Sequence, residues 1–248
     1  MSFTLDVIAE RDDSASQRKE ADMVPTMMLV ADGSQDTHRM EALCDLADAV
    51  ASRNEAPVAT AFEPGQELNN TIESIDGPLV AVPAYLAGGD LASAELFSEV
   101  DLDNRFDACA TSPLGAVPSI VGDIARRLDE AGWQQGDGVV LAADGSPDQE
   151  GRQEVTAVAR MLSRRVHSPV QVAYVNAWAP SVADAVERLR RHGQQRVAVA
   201  AWQLLPSADD EQLRELDVTS VTTPLWPAGL VVDTLLARHR AAAARLAA

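Results

Sequence analysis

The stretch Ala31-Asp32-Gly33-Ser34-Gln35-Asp36 returns as Ala143-Asp144-Gly145-Ser146-Pro147-Asp148, a spacing of 112 residues from Asp32 to Asp144. Working outward, Pro57-Val58 and Ala61-Phe62 recur at the same spacing as Pro169-Val170 and Ala173-Tyr174. Val80-Ala81-Val82-Pro83-Ala84-Tyr85 aligns with Val197-Ala198-Val199-Ala200-Ala201-Trp202, which pairs Tyr85 with Trp202. Thr111-Ser112-Pro113-Leu114 aligns with Thr222-Thr223-Pro224-Leu225. Four matches in one order at nearly one spacing indicate a tandem duplication of a unit of ~110 residues.

Each unit alternates short apolar runs with amphipathic segments. Strands are expected at 26–31, 57–62, 79–85 and 106–111, then at 139–143, 170–175, 196–202 and 218–223. Met40, Leu43, Cys44, Leu46, Ala47 and Val50 recur at helical spacing. Further helices are expected at 68–75, 120–131, 153–165, 181–192 and 231–247, with Gly132 and Gly193 as C-caps. Continuous apolar strands between helices predict an α/β chain with parallel sheets covered on both faces. The division expected is a disordered tail over 1–25, one α/β domain over 26–135 and a second over 136–248.

Composition narrows the function. The 248 residues carry 38 acidic and 20 basic side chains, a net charge of −18. Nucleic acid and anionic membrane surfaces are repelled by such a chain. No apolar run reaches the ~18 residues of a membrane span. The first 25 residues are too acidic for a signal peptide, so a cytoplasmic location is expected. Cys44 and Cys109 form no CxxC pair and read as small hydrophobes. GxGxxG, Walker and HExxH patterns are missing, which leaves dinucleotide, P-loop and zincin chemistry unsupported. No organic cofactor is called for.

Ligands of such folds bind beyond the carboxyl ends of the strands. The loops expected there are 32–37, 63–67, 87–97 and 112–118. Gly33 permits a tight turn and Ser34 can cap the helix after it, leaving free N–H groups toward an anion. Gly88-Gly89-Asp90 with Glu95 sets carboxylates after the third strand, able to hold a divalent cation or take protons. His38 is placed at the start of a helix, and His167, His192 and His239 at or near helix ends; none has metal-ligand spacing.

The ordered set resembles the sirohydrochlorin chelatases of the long CbiX type, within the class II chelatases. That resemblance implies two tandem flavodoxin-like units facing one another across a tetrapyrrole cleft, as a monomer or homodimer. It implies insertion of a divalent metal, Co²⁺ or Fe²⁺, into sirohydrochlorin on the way to cobalamin or siroheme. The family's first histidine falls on Asp32, its second on Leu91, and a family aspartate on Glu95. In the second unit Asp144 again takes the histidine's place, and Pro206-Ser207-Ala208 supplies none. The resemblance therefore assigns Asp32 and Glu95 to catalysis and Asp32, Asp90 and Glu95 to the metal. Gly33, Ser34, Tyr85, Gly88, Gly89 and Ser112 line the tetrapyrrole. Arg39, Arg105, Arg126 and Arg127 are the first-unit cations available to a polycarboxylate ligand. The alternative reading is a catalytically degenerate paralogue, a tetrapyrrole or metal carrier or a partner subunit.

Overall fold

The computed structural model describes residues 24–32, 36–53, 56–63, 66–86, 105–145, 149–175 and 178–247. The tail expected over 1–25 falls almost wholly outside them. In the first unit β1 (Thr26–Asp32), α1 (Thr37–Ala51), β2 (Val58–Glu63), α2 (Gln66–Ser74), β3 (Leu79–Pro83), β4 (Ala108–Ala110) and α3 (Pro118–Glu130) follow in order. In the second come β5 (Gly138–Ala143), α4 (Gln149–Val166), β6 (Val170–Tyr174), α5 (Val182–Arg191), β7 (Val197–Trp202), α6 (Asp209–Arg214), β8 (Ser220–Val221) and α7 (Gly229–Leu246). Two four-stranded parallel sheets result, ordered β2-β1-β3-β4 and β6-β5-β7-β8. The expected α/β class and parallel sheets hold, and the short α6 is an element that sequence reading passes over. No helix among the described residues is long and apolar enough to cross a membrane.

Strand alternation sorts the core into three parts. Met27, Leu29 and Ala31 of β1, Val80 and Val82 of β3, Val139 and Leu141 of β5, and Ala198, Ala200 and Trp202 of β7 share one buried cluster. That cluster also takes the apolar faces of α1, α3, α4 and α7, so these four helices lie between the sheets. The opposite faces, Met28 and Val30 in one sheet, Val140 and Ala142 in the other, pack in satellite clusters. Leu68 and Ile72 of α2 cover the first, and Val182, Ala185 and Leu189 of α5 the second. Burying a Leu or Ile side chain contributes about 1.5–3 kcal/mol, so this central layer dominates the stability.

Two helices cross over. Helix α3 leaves the first sheet and packs on β7 and α4, while α7 leaves the second and packs on β3, β4 and α1. Arg53, in the turn just after α1, accordingly forms an ion pair with Asp233 of α7. Gly132 ends α3 at φ +96 and Gly193 ends the turn after α5 at φ +92, the left-handed geometry that glycine adopts without a Cβ penalty.

Three readings are corrected. First, Val139 faces both Val170 and Ala198 while Met27 faces Val58 and Val80, so the third strands correspond at a spacing of 118 rather than 117. Tyr85 therefore matches Gln203, and Trp202 matches Ala84. A slip of one residue moves a side chain to the other sheet face, and Val197 indeed lies in a different cluster from Val80. Second, Cys44 is exposed on α1 rather than packed. Third, His239 stands inside α7 and is 2% exposed, not at a helix end.

Candidate functional site

From β1 the chain continues to β2 on one side, and from β3 to β4 on the other; β5 and β7 repeat the arrangement. Parallel sheets bind ligands beyond the carboxyl ends of such a pair of strands. In the first unit these ends carry Asp32 and Tyr85. Asp32 is the last residue of β1, in register with Glu63, and Ala84 N donates to Val30 O at 2.7 Å, holding the exit of β3 beside it. Tyr85 is buried, and its carbonyl accepts from Leu114 N at 3.3 Å. Ser112 is exposed in the loop after β4, where its Oγ accepts from Arg238 Nη1 at 3.0 Å. Gly33, Ser34, Gly88, Gly89, Asp90, Leu91 and Glu95 lie outside the described residues.

The second unit presents the equivalent pair, Asp144 and Gln203. Gln203 Nε2 donates to Asp144 Oδ1 at 3.4 Å and to Ser207 Oγ at 3.3 Å. Gln203 is 2% exposed, and its Oε1 has no hydrogen-bond partner. Just beyond, Ser207 N donates to Asp210 Oδ2 at 3.2 Å. Burial pushes the Asp210 carboxyl up, and the Ser207 N–H and the charges of Arg214 and Arg39 offset this only in part.

One carboxylate joins the two ends. Asp36 Oδ1 accepts from His38 N and Arg39 N at the start of α1, while Oδ2 accepts from Ala208 N of the other unit at 3.0 Å. Burial alone would raise the Asp36 carboxyl. The N–H groups of Ala208 and Arg39, the Arg39 charge and the His38 N–H outweigh it and hold it below the usual range. Asp36 is four residues past Asp32, and Ala208 five past Gln203. The loops beyond the carboxyl ends of β1 and β7 therefore meet at this contact.

The four candidate cations separate. Arg39 stands in the first turn of α1, beside the Asp36–Ala208 contact. Arg105 lies at the opposite, amino-terminal end of the strands, a correction to its candidacy. There it donates to Asp107 and to the carbonyls of Ile72, Ile75 and Gly77. Arg126 and Arg127 both pair with the buried Asp123 on α3. His38 is an exposed residue of α1. Among the described residues no group of three or more His, Cys, Asp or Glu side chains gathers for a metal ion. Sequence reading missed Gln203, Asp210 and Asp36 as site residues. The sequence carried no signal for Gln203, because the 118-residue spacing that sets it opposite Tyr85 is visible only in the strand register.

Two parallel four-stranded sheets, one in each repeat, with the loops beyond β1 and β7 in contact, make the fold that the chain shares with chelatase structures. SirB from Bacillus subtilis with Fe3+ is similar at a TM-score of 0.68 and 18% identity, over 89% of this chain and 96% of that one. A structure of CbiX, described as the terminal enzyme for biosynthesis of siroheme in denitrifying bacteria, gives 0.60 and 19% over 88% and 99%. DR2241 from Deinococcus radiodurans, a multi-domain protein with structural similarity to chelatases, gives 0.57 and 16% over 87% and 54%. The CbiX family model matches residues 138–206, the segment that holds Asp144 and Gln203. The resemblance to the CbiX-type chelatases read from the sequence holds. No curated protein sequence matches the chain.

Proposed function

We propose that the protein inserts a divalent transition metal, Co²⁺ or Fe²⁺, into sirohydrochlorin, in siroheme or cobalamin synthesis. The observation that supports this most is the first switch point, which brings Asp32 and Tyr85 to neighbouring strand ends in a chain of chelatase fold. On this reading Asp32, Asp90 and Glu95 hold the entering metal, which is a substrate. Asp32 also takes a pyrrole proton, with Glu95 assisting. Carboxylates are harder ligands than imidazole and weaker bases near neutrality, so a metal of appreciable oxygen affinity and a slower proton step follow. Gly33, Ser34, Tyr85, Gly88, Gly89 and Ser112 line the macrocycle. Arg39 faces its carboxylates, offsetting part of the repulsion from a −18 protein.

The test is anaerobic mixing of the full chain with sirohydrochlorin and Co²⁺ or Fe²⁺, following the absorbance change of metallation. Acceleration over the spontaneous rate is expected. Its absence overturns the reading, and tetrapyrrole binding without acceleration favours the carrier function instead.

A further inference from the structure

Two carboxylates, one from each unit, take consecutive backbone N–H groups of a single turn. Ser207 N donates to Asp210 Oδ2 at 3.2 Å within the second unit, and Ala208 N donates to Asp36 Oδ2 at 3.0 Å in the first. Arg39, half-buried in the first turn of α1, acts with its charge on both carboxylates. The two acids are unequal. Asp36 accepts three N–H groups, from His38, Arg39 and Ala208, and so holds its charge firmly. Asp210 is 6% exposed and accepts from Ser207 N alone among the described residues. Burial favours its neutral form; the Ser207 N–H, Arg214 and Arg39 favour the charged one, and Asp209 opposes it. The charged groups around it are therefore Arg39 and Asp36 from the first unit and Arg214 and Asp209 on α6 itself. Strand β8, against which α6 also packs, brings only the uncharged Ser220 and Val221. Whatever draws Arg39 away leaves Asp210 with less reason to stay ionised.

Resting on the proposed reading of the ligand as a polycarboxylate tetrapyrrole, we infer that Asp210 is a positioning residue for Arg39 and that ligand binding at Arg39 is coupled to uptake of one proton by Asp210. Without ligand, the Arg39 charge is shared between Asp36 and Asp210. A ligand carboxylate that pairs with Arg39 takes part of that charge from Asp210 and sets a further negative charge near it. Both changes favour the neutral acid. A proton from solution then forms an O–H bond at the Asp210 oxygen that Ser207 does not hold. One negative charge arrives with the ligand and one is neutralised at Asp210, which itself never touches the ligand. Asp36 stays ionised and keeps Arg39 at the contact between the units. A chain of charge −18 thereby takes a polyanion more tightly as pH falls.

The experiment is calorimetric titration of the full chain with metal-free sirohydrochlorin in two buffers of different ionisation enthalpy, between about pH 5 and pH 8, above the ordinary carboxylate value. The difference between buffers counts the protons taken up. Protons bound by the ligand's own carboxylates are common to the wild type and Asp210→Asn, so the variant subtracts them. The wild type is expected to take up as much as one proton more than Asp210→Asn, its affinity rising relative to the variant by up to about tenfold per unit fall in pH. Asp210→Asn is expected to bind about 5-fold more tightly near pH 8, where the wild type still holds a carboxylate near the incoming one, and the difference narrows toward pH 5. Arg39→Gln, in which Asp210 has already lost its cation, is expected to lose the same proton and to bind more weakly. Wild-type proton uptake and affinity in Asp210→Asn at every pH overturn the inference and leave the chelatase reading intact. Proton-linked binding by a chain that does not accelerate metallation overturns the chelatase reading alone, and a wild type that does not bind sirohydrochlorin overturns both. Should Asp210→Asn fail to fold, wild-type proton uptake in Arg39→Gln overturns the inference by itself.

Discussion

Arg127 and Arg238, one on each exchanged helix, grip each other's unit by the same contact. Arg127 Nη2 donates to Leu225 O at 2.7 Å and Nη1 to Thr223 Oγ1 at 2.7 Å. Arg238 Nη2 donates to Leu114 O at 2.9 Å and Nη1 to Ser112 Oγ at 3.0 Å. The repeated Thr-Ser/Thr-Pro-Leu segment is thus a seat for an arginine from the partner repeat. The two seats differ in one respect. Arg127 Nε reaches Asp123 at 2.7 Å, four residues earlier, whereas Arg238 has Thr234 there and a buried Nε without a partner.

Replacing Arg127 should be costly. Burial alone would raise the Asp123 carboxyl, but Arg127 and Arg126 outweigh it and hold it low. Arg127→Met leaves that buried carboxylate to the exposed Arg126 alone and removes the donor to Thr223, Pro224 and Leu225. Breaking a buried pair costs about 3–5 kcal/mol. At roughly 2–4 °C per kcal/mol, Tm should fall by about 6–20 °C. Calorimetry of Arg127→Met beside Asp123→Asn/Arg127→Met checks this, since the double variant should recover part of the loss.

The weaker seat can be improved. Thr234→Asp places a carboxylate four residues before Arg238, as Asp123 stands before Arg127, at the cost of the Thr234 bond to Leu230 O. A charge-assisted hydrogen bond contributes about 1.5–3 kcal/mol, so a net gain of about 1 kcal/mol is expected. Urea denaturation should show a higher midpoint, and an unchanged or lower one counts against the pairing.

Acid should destabilise the fold through His239. Its Nε2 donates to Pro25 O at 2.9 Å while Nδ1 is buried without a partner. Burial pushes the imidazole below its usual range; the Pro25 contact opposes this in part and Arg240 adds to it. The unfolded chain thus binds a proton first. Stability is complete above about pH 6.5 and is lost as pH falls from there through the folded pKa. Leu128, fully buried, holds the matching place in the other repeat. Unfolding free energies of His239→Leu should depend less on pH between about 7.5 and 5.5 than those of the wild type.

Asp36 couples the start of α1 to the loop after β7. Asp36→Ala removes an N-cap, worth about 1 kcal/mol, and leaves Ala208 N without its acceptor. Amide exchange at Ala208 and in the first turn of α1 should quicken together. Protection retained at Ala208 would show that the clasp is not what holds the 207–210 turn. Because the folded pKa of Asp36 is depressed, the contribution is present above the ordinary carboxylate value and is lost as pH drops through the folded one.

Much of this chain is legible from residue order alone. Repeated turn clusters at Asp32 and Asp144, apolar runs too short for helices and glycines at helix ends specify eight strands and parallel pairing, because those are local preferences of backbone and burial. The same reading places Asp32 and Tyr85 near one another, since both follow central strands. It does not see that Tyr85 matches Gln203: β3 and β7 are buried on both faces, so no polar alternation reveals a one-residue shift. Nor does it see which sheet α3 and α7 cover. An amphipathic helix states that one face is apolar, not what will pack on it. Arg127, Arg238 and His239 look like surface cations in the sequence, and only the exchange of those two helices sets the arginines against the other unit and buries His239. The order of elements was therefore local information; the pairing of the two halves, and with it the second half of the candidate site, came from contacts between residues 59 to 180 positions apart.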